Sequence, residues 1–244
     1  MPPASFGAGV FVCACARGAA VLSSAPLMTQ PSPKTVVAAG PFSAWLRRMR
    51  RSLLGNEGMD VPCGDCVGCC VSGYSVQLRP EDHRAAARIP ATFVVSAPGF
   101  AKGHLTVRPL SSGLCPMLEG GKCSIYADRP QTCLDYDCRI FAAAGIEAGG
   151  DDKRVINQRV REWRFSYPEH TDEREHEAVR AAAAFIRDRR DCFTVRVPAG
   201  PMGIAVFAIK SYPVFLDPLI GNKSDAEVAR AILETVRGFD SQTG

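Results

Sequence analysis

The 244-residue chain has no uninterrupted apolar stretch of the roughly eighteen residues that a membrane-spanning helix requires. Its best candidate, residues 10–22, is interrupted by Arg17 and has no basic residue before the apolar run, unlike a secretory leader. We therefore predict that there is no transmembrane segment and that the protein is not exported. The predicted location is the reducing cytoplasm, where structural disulfides are disfavoured.

Several catalytic signatures are missing as well. The chain contains no HExxH, no G-x-S-x-G and no C-x3-C-x2-C sequence, so the motifs predict no metalloprotease, serine hydrolase or radical-SAM enzyme. The string GGKCS around Lys122 lacks the upstream glycine of a P-loop and the Ser or Thr that follows its lysine. We expect no nucleotide site there, and the catalytic residues of any reaction stay unknown.

The cysteine-rich part of the chain has no excess of charge of either sign. The whole chain carries a net charge of +4, but residues 63–138 have as many acidic as basic side chains, and the excess lies in residues 1–62. A nucleic-acid-binding module normally has a basic face, so there is no strong nucleic-acid signal. Partners are otherwise unknown. Residues 43–54 predict either a docking helix with a solvated basic face or a contact with an anionic surface.

Cysteine is the residue that the chain has in abundance. Four of its eleven cysteines fall within the eight-residue string CGDCVGCC. Thiols at this density are typical of a small domain that a disulfide or a metal must stabilise, and a reducing location favours the metal. The eight candidate metal ligands are Cys63, Cys66, Cys69, Cys70, Cys115, Cys123, Cys133 and Cys138.

An all-thiol set argues against magnesium and calcium and leaves zinc, an iron-sulfur cluster or copper(I). The C-x2-C-x2-C run from Cys63 to Cys69 matches the start of a bacterial ferredoxin motif, so we prefer an iron-sulfur cluster to zinc. Cys69 and Cys70 are adjacent and are not expected to chelate one mononuclear ion side by side. Two centres or one polynuclear centre are therefore expected.

The order of these thiols resembles the bacterial CxxCxxCC cysteine-cluster family, a zinc- or iron-chelating domain. The likeness rests on CGDCVGCC, on Cys115-Pro-Met-Leu, on KCSIYADRPQTC and on Cys138, and it covers about residues 60–141. It implies metal chelation by the eight thiols and assigns no reaction. One branch of the family is associated with lysine N-methylation of flagellin, and nothing in this chain selects that branch.

The predicted fold class is α+β: a small cysteine-rich, metal-stapled module with short strands, followed by a mainly helical C-terminal half. The predicted divisions are a mobile leader over residues 1–40, a basic amphipathic helix over 41–58, the cysteine-cluster module over 59–145 and a mostly helical region over 146–244. Helices are predicted over 80–88, 130–145, 153–165, 172–190 and 224–238, strands over 74–79, 92–96 and 104–110, and either a strand or a helix over 203–209.

Three functions stay open on this basis. The first is a metal-binding protein of unknown reaction. The second is an enzyme that uses an iron-sulfur centre for redox or methyl transfer, with a pocket between the module and the helices of residues 153–190. The third is an exported, disulfide-stapled protein. Arg129 is expected either to donate hydrogen bonds to an anionic cluster or to pair with Asp128 or Asp135.

Overall fold

The computed structural model describes residues 36–243, except residues 56, 60, 98 and 100. Most of the predicted leader, with Cys13 and Cys15, lies outside the described residues. The described chain has an α+β fold, with short strands mainly in its first half and helices in its second, as predicted. Within residues 36–243, no helix is long and apolar enough to cross a membrane.

The described residues form eight α-helices and seven short strands. The helices are α1 (Phe42–Leu53), α2 (His83–Arg88), α3 (Gln131–Asp135), α4 (Arg139–Ala144), α5 (Arg154–Glu162), α6 (His170–Asp188), α7 (Pro201–Ser211) and α8 (Asp225–Asp240). The strands are β1 (Val37–Pro41), β2 (Val76–Leu78), β3 (Val94–Ser96), β4 (Leu105–Val107), β5 (Leu118–Glu119), β6 (Lys122–Cys123) and β7 (Trp163–Ser166).

The strands form three small sheets. β2, β4 and β3 make an antiparallel sheet with β4 in the centre, and β5 pairs with β6 as a hairpin. The hairpin turns through Gly120 and Gly121, whose φ angles of 54° and 74° are those of a turn that favours glycine at both central positions. β1 and β7 run parallel, with Val37 opposite Trp163.

The buried apolar residues of the described chain form two hydrophobic clusters. The larger one is formed mainly by α1, α4, α6, α7 and α8, and it includes the buried thiol of Cys138. The smaller one lies under the three-stranded sheet, and Cys115 and Cys123 pack against it. The candidate ligands are therefore distributed between two separate cores.

The helical half follows its sequence pattern closely. Alanines and branched residues of α6, such as Val179, Ala183 and Ile186, are fully buried, and the small side chains let α7 pack closely against them. α6 begins two residues earlier than predicted because Glu169 and Asp172 form the capping box. The ambiguous segment 203–209 lies within helix α7, which Pro201 opens.

Helix α1 packs as a docking helix, and several arginines of its basic face bind other parts of the described chain. Arg50 donates to the carbonyl oxygen of Ile209 at 2.8 Å and lies over the ring of Phe239. Arg51 pairs with Glu57 at 2.6 Å. The helix ends at Leu53, five residues before the predicted boundary at residue 58.

Two predicted helices are interrupted. The segment 130–145 divides into α3 and α4 because Tyr136 is extended and the Asp137 carboxylate accepts from the main-chain N–H of Arg139 at 2.8 Å. The segment 153–165 leaves the helix at Trp163 and continues as β7. The partner of β7 is β1, whose residues were mostly assigned to the mobile leader.

Candidate metal centre

The eight candidate thiols come from several separate segments of the chain and line one cavity of about 840 Å³. Cys63 and Cys66 lie in the loop before the 3-10 turn Gly68–Val71, which carries Cys69 and Cys70. Cys115 follows the three-stranded sheet, Cys123 ends β6, Cys133 lies on α3 and Cys138 precedes α4. The structure thus brings all eight predicted residues to the same space. His83 and His104 do not line it.

The CGDCVGCC loop can be tight because it has glycine at two positions, one for its backbone conformation and one for close packing. Gly64 has a φ of 56°, which side-chain-bearing residues rarely adopt. A Cβ on Gly68 would lie 3.2 Å from Cγ1 of Ile156 and 3.4 Å from the sulfur of Cys66. The main-chain N–H of Gly68 also points at that sulfur, with 3.4 Å between the heavy atoms. Close packing on α5 therefore requires glycine at position 68, and the main-chain N–H of this residue is directed at a thiol.

Cys70 and Cys115 join the loop to the second wall of the cavity. The main-chain N–H of Cys115 donates to the carbonyl oxygen of Cys70 at 2.7 Å. The two thiols are hydrogen-bonded to each other. Cys70 also lies beside Cys69, with their sulfurs 4.0 Å apart.

Cys138 is the most buried thiol of the set and has a donor of its own. The indole N–H of Trp163 donates to its sulfur at 3.2 Å. The preceding residue, Asp137, accepts from the indole N–H of Trp45 at 2.9 Å and forms an ion pair with Arg139. Cys138 is thus held in place by buried polar contacts that reach α1 and β7.

Burial opposes the thiolate form at several of the thiols. Desolvation raises the pKa of Cys63 to about 11 and raises the pKa values of Cys133 and Cys138 to about 12. Repulsion from neighbouring thiolates adds to each shift. A bound cation reverses this balance, because it stabilises the thiolate directly.

Cys69, Cys70 and Cys115 behave as a group that shares protons. Their hydrogen bonds with Cys70 lower the pKa of Cys69 to about 7 and the pKa of Cys115 to about 6. The same bonds raise the pKa of Cys70, first through Cys115 and then through Cys69. The protonation states of the three thiols are therefore coupled, and loss of a proton from one changes the pKa of the others.

The thiols surround the cavity without converging on one point. Among the described residues, no three His, Cys, Asp or Glu side chains lie close enough together to hold a metal ion in their present positions. The donor set nevertheless suits a soft metal, since it consists of sulfur alone. Loading the cavity requires the cysteine side chains to rotate towards it.

In a comparison with known families, one family model matches this part of the chain. Residues 62–161 match the CxxCxxCC family model. The family is described as a "putative zinc- or iron-chelating domain". The matched segment is under half of the chain and extends through α5, beyond the predicted module boundary at residue 145. No curated protein and no solved structure matches the chain.

Two arginines line the cavity together with the thiols. Arg129 stacks on the ring of Tyr126, with its guanidinium carbon 3.7 Å from the ring centroid, and its buried Nε has no hydrogen-bond partner in the structure. Its two expected carboxylate partners are engaged elsewhere, since Asp128 pairs with Arg84 and Arg88, and Asp135 with Arg79. The geometry therefore favours the donor role for Arg129 over the salt bridge.

Arg159 was not among the predicted site residues. It lines the cavity together with Cys66 and pairs with Glu162 at 3.2 Å. It lies on α5, three residues after the buried Ile156, which also lines the cavity. Trp163 was missed too, because strand β7 was predicted as the end of a helix. The sequence predicts a helix over residues 153–165, but not the thiols against which it packs.

Proposed function

We propose that the CxxCxxCC domain binds zinc or iron through the eight thiols that line its cavity. The observation that carries this proposal is the meeting of all eight in one space, although they are spread from residue 63 to residue 138. The proposed ligands are Cys63, Cys66, Cys69, Cys70, Cys115, Cys123, Cys133 and Cys138.

The chemistry of the cavity supports a soft cation. Thiolate sulfur binds zinc and iron far better than magnesium or calcium. Each thiol must lose its proton to bind, so metal binding releases protons and supplies folding free energy. The hydrogen bonds around Cys70 lower the pKa values of Cys69 and Cys115 and so favour their thiolate forms, which suits the binding of a cation.

An iron-sulfur cluster is the preferred occupant, and zinc is the alternative. The spacing of Cys63, Cys66 and Cys69 is that of ferredoxin ligands, and the N–H of Gly68 is directed at the Cys66 sulfur, as amides are in cluster sites. Nine cysteines lie in the described residues and all are free thiols, as a reducing compartment would keep them. We therefore propose a cytoplasmic location.

A second candidate function is a redox or group-transfer enzyme in which a small substrate lies beside the metal. The cavity volume of about 840 Å³ is within the range of small-molecule sites. Ile156, Arg159 and Met202 give it a wall from the C-terminal half. Binding of cyanide or azide to the metal-loaded protein, detected as a spectral change, would favour this candidate. A spectrum that does not respond would contradict it.

Anaerobic purification followed by elemental analysis and an optical spectrum tests the main proposal. We expect iron with acid-labile sulfide and a visible absorbance band, or zinc without colour, in stoichiometric amounts. A full-length protein that is folded and contains neither metal, and that takes up neither on reconstitution under reducing conditions, would contradict the proposal.

A further inference from the structure

We propose that the cavity also binds an oxyanion, the carboxylate or phosphate group of a small organic molecule. Arg129 is the anion-binding residue, and Thr132 and Tyr136 contribute hydroxyl groups; all three line the cavity. This inference deepens the second candidate function, because it names the class of substrate that would lie beside the metal. It rests on that function only in taking the cavity as the functional site.

Arg129 has a guanidinium group that is held in place and whose buried nitrogen lacks an acceptor. The guanidinium carbon lies 3.7 Å from the centroid of the Tyr126 ring, and no described residue accepts a hydrogen bond from Nε. The next carboxylates along the chain, Asp128 and Asp135, pair with other arginines. Buried donors in proteins are almost always hydrogen-bonded. The Nε of Arg129 therefore indicates an acceptor that the described residues do not supply.

Tyr136 is in the same situation on the same segment of the chain. Its hydroxyl group is buried and has no hydrogen-bond partner among the described residues. Tyr136 directly follows α3, and Thr132 lies within α3 four residues earlier. The segment 129–136 therefore gives the cavity wall a guanidinium group and two hydroxyl groups. Donors of this kind suit the oxygens of a carboxylate or a phosphate, and the planar guanidinium can bind two such oxygens at once.

The charged residues of the cavity wall favour an anion. Apart from the thiols, the charged residues that line it in the described part of the chain are three cations and one carboxylate: Lys122, Arg129, Arg159 and Asp65. Arg159 is paired with Glu162 at 3.2 Å, and Asp65 is exposed to solvent. Arg129 is the cation of this wall whose buried nitrogen is left without a partner.

An apolar surface lies beside these donors, so we expect the anion to belong to an organic molecule. Residues of the smaller hydrophobic cluster line the same cavity, namely Val76, Ile89, Val107, Met117 and Ile125. Ile125 directly precedes Tyr126, on which Arg129 stacks. Small-molecule sites combine an apolar wall with a few polar groups that fix the orientation of the ligand, and a cavity of about 840 Å³ is large enough for one.

Calorimetric titration of anaerobically purified full-length protein tests the proposal, with metal content measured on the same samples. The probes are hexanoate, hexyl phosphate and the uncharged 1-hexanol. The wild type should bind at least one of the two anions about tenfold or more tightly than hexanol, because hydrogen bonds to a charged group are strong. The ratio of the two anion affinities shows whether the site takes a carboxylate or a phosphate. Equal affinities for all three probes, or no measurable binding of either anion, would overturn the proposal.

Substitutions at Arg129 test its assignment as the binding residue. Arg129→Gln should weaken binding of the preferred anion by about tenfold or more and leave the metal content unchanged. Arg129→Lys keeps the charge but not the planar group, so its affinity should be intermediate. Arg154→Gln is the matched control and should bind as the wild type does, because Arg154 is exposed on α5 and does not line the cavity. Circular dichroism checks the fold of each variant, and the lysine variant carries the test if the glutamine variant does not fold.

Metal content separates the possible failures. If folded Arg129→Gln loses its metal together with anion binding, Arg129 serves the metal-bound thiolates and the proposal is overturned. Anion binding that is as tight in Arg129→Gln as in the wild type would overturn it too. A wild type that takes up no metal but binds the anion through Arg129 would contradict only the proposed metal binding. A wild type that contains metal but binds no anion would contradict only the oxyanion site.

Discussion

The indole N–H of Trp163 lies 3.2 Å from the sulfur of Cys138 and donates to it within the protein core. This contact joins strand β7 to the thiol cavity. It lowers the pKa of Cys138 against the larger effect of burial, which raises it. A donor to the sulfur stabilises the charged, metal-binding form of the cysteine.

Trp163→Phe is expected to weaken metal binding by about tenfold, the lower end of the effect of losing a group that supports a metal ligand. The substitution keeps a buried aromatic ring and removes the donor. Competition with a chromogenic chelator measures the affinity. Trp45→Phe is the comparison variant: its indole donates to Asp137 and not to a thiol, so it should weaken metal binding less than Trp163→Phe does. Equal affinities of the wild type and Trp163→Phe would contradict the role of this hydrogen bond.

Asp137→Asn should destabilise the fold by about 3 kcal/mol, because it leaves the buried guanidinium of Arg139 without its carboxylate. The residue is only 2% exposed and joins α1 to α4 through Trp45. Urea unfolding of the metal-saturated protein gives the free energy. Asp135→Asn removes a partly exposed ion pair with Arg79 and should cost less than about 1 kcal/mol. A similar loss for both variants would contradict this account.

Stability should fall as the pH drops from about 6.5 to about 4, in part because of His176. Burial and then the charge of Arg180 lower its pKa to about 4, so the unfolded chain takes up this proton first. The ring stacks on Phe42 at 4.3 Å and contacts the hydroxyl of Tyr167. Urea unfolding at pH 7 and pH 5 measures the change.

His176→Phe should lose less stability than the wild type over the same pH interval. His170→Gln is the control, because it removes an exposed histidine at the start of the same helix α6. If the wild type and His176→Phe depend on pH to the same extent, His176 is not a source of the dependence.

Gly68→Ala should weaken metal binding by roughly threefold to tenfold, since the added Cβ meets Ile156 and the sulfur of Cys66. Either α5 or the Cys66 thiol must shift by a few tenths of an ångström. Gly238→Ala is the matched control, because its Cβ meets nothing within 4 Å inside α8. It should leave metal binding unchanged and stabilise the protein by about 0.5–1 kcal/mol. Equal metal affinities of Gly68→Ala and Gly238→Ala would contradict the inference that close packing requires glycine at position 68.

The sequence predicts the local parts of this molecule well. The period of apolar residues places α1, α6 and α8, and the alternation around Val76, Val94 and Leu105 places the three-stranded sheet. Cysteine density and spacing predict one meeting place for the thiols, and all eight line the same cavity.

Features that depend on distant partners are not visible in the sequence. Residues 37–41 look like a featureless leader, and they become β1 only because Trp163 and its neighbours pair with them across more than 120 residues. The break at Asp137 depends on Trp45 and Arg139, and the contacts of Arg159 and Trp163 with the thiols depend on how α5 packs. Spacing alone also does not divide the thiols into sets.

Thiol protection tests the central claim most directly. Full-length protein is purified without oxygen, alkylated with and without a strong chelator, and each cysteine-containing peptide is quantified by mass spectrometry. The account predicts that Cys63, Cys66, Cys69, Cys70, Cys115, Cys123, Cys133 and Cys138 are protected until the chelator is added, while Cys192 reacts equally in both samples. Equal alkylation of the eight thiols with and without chelator would contradict the account.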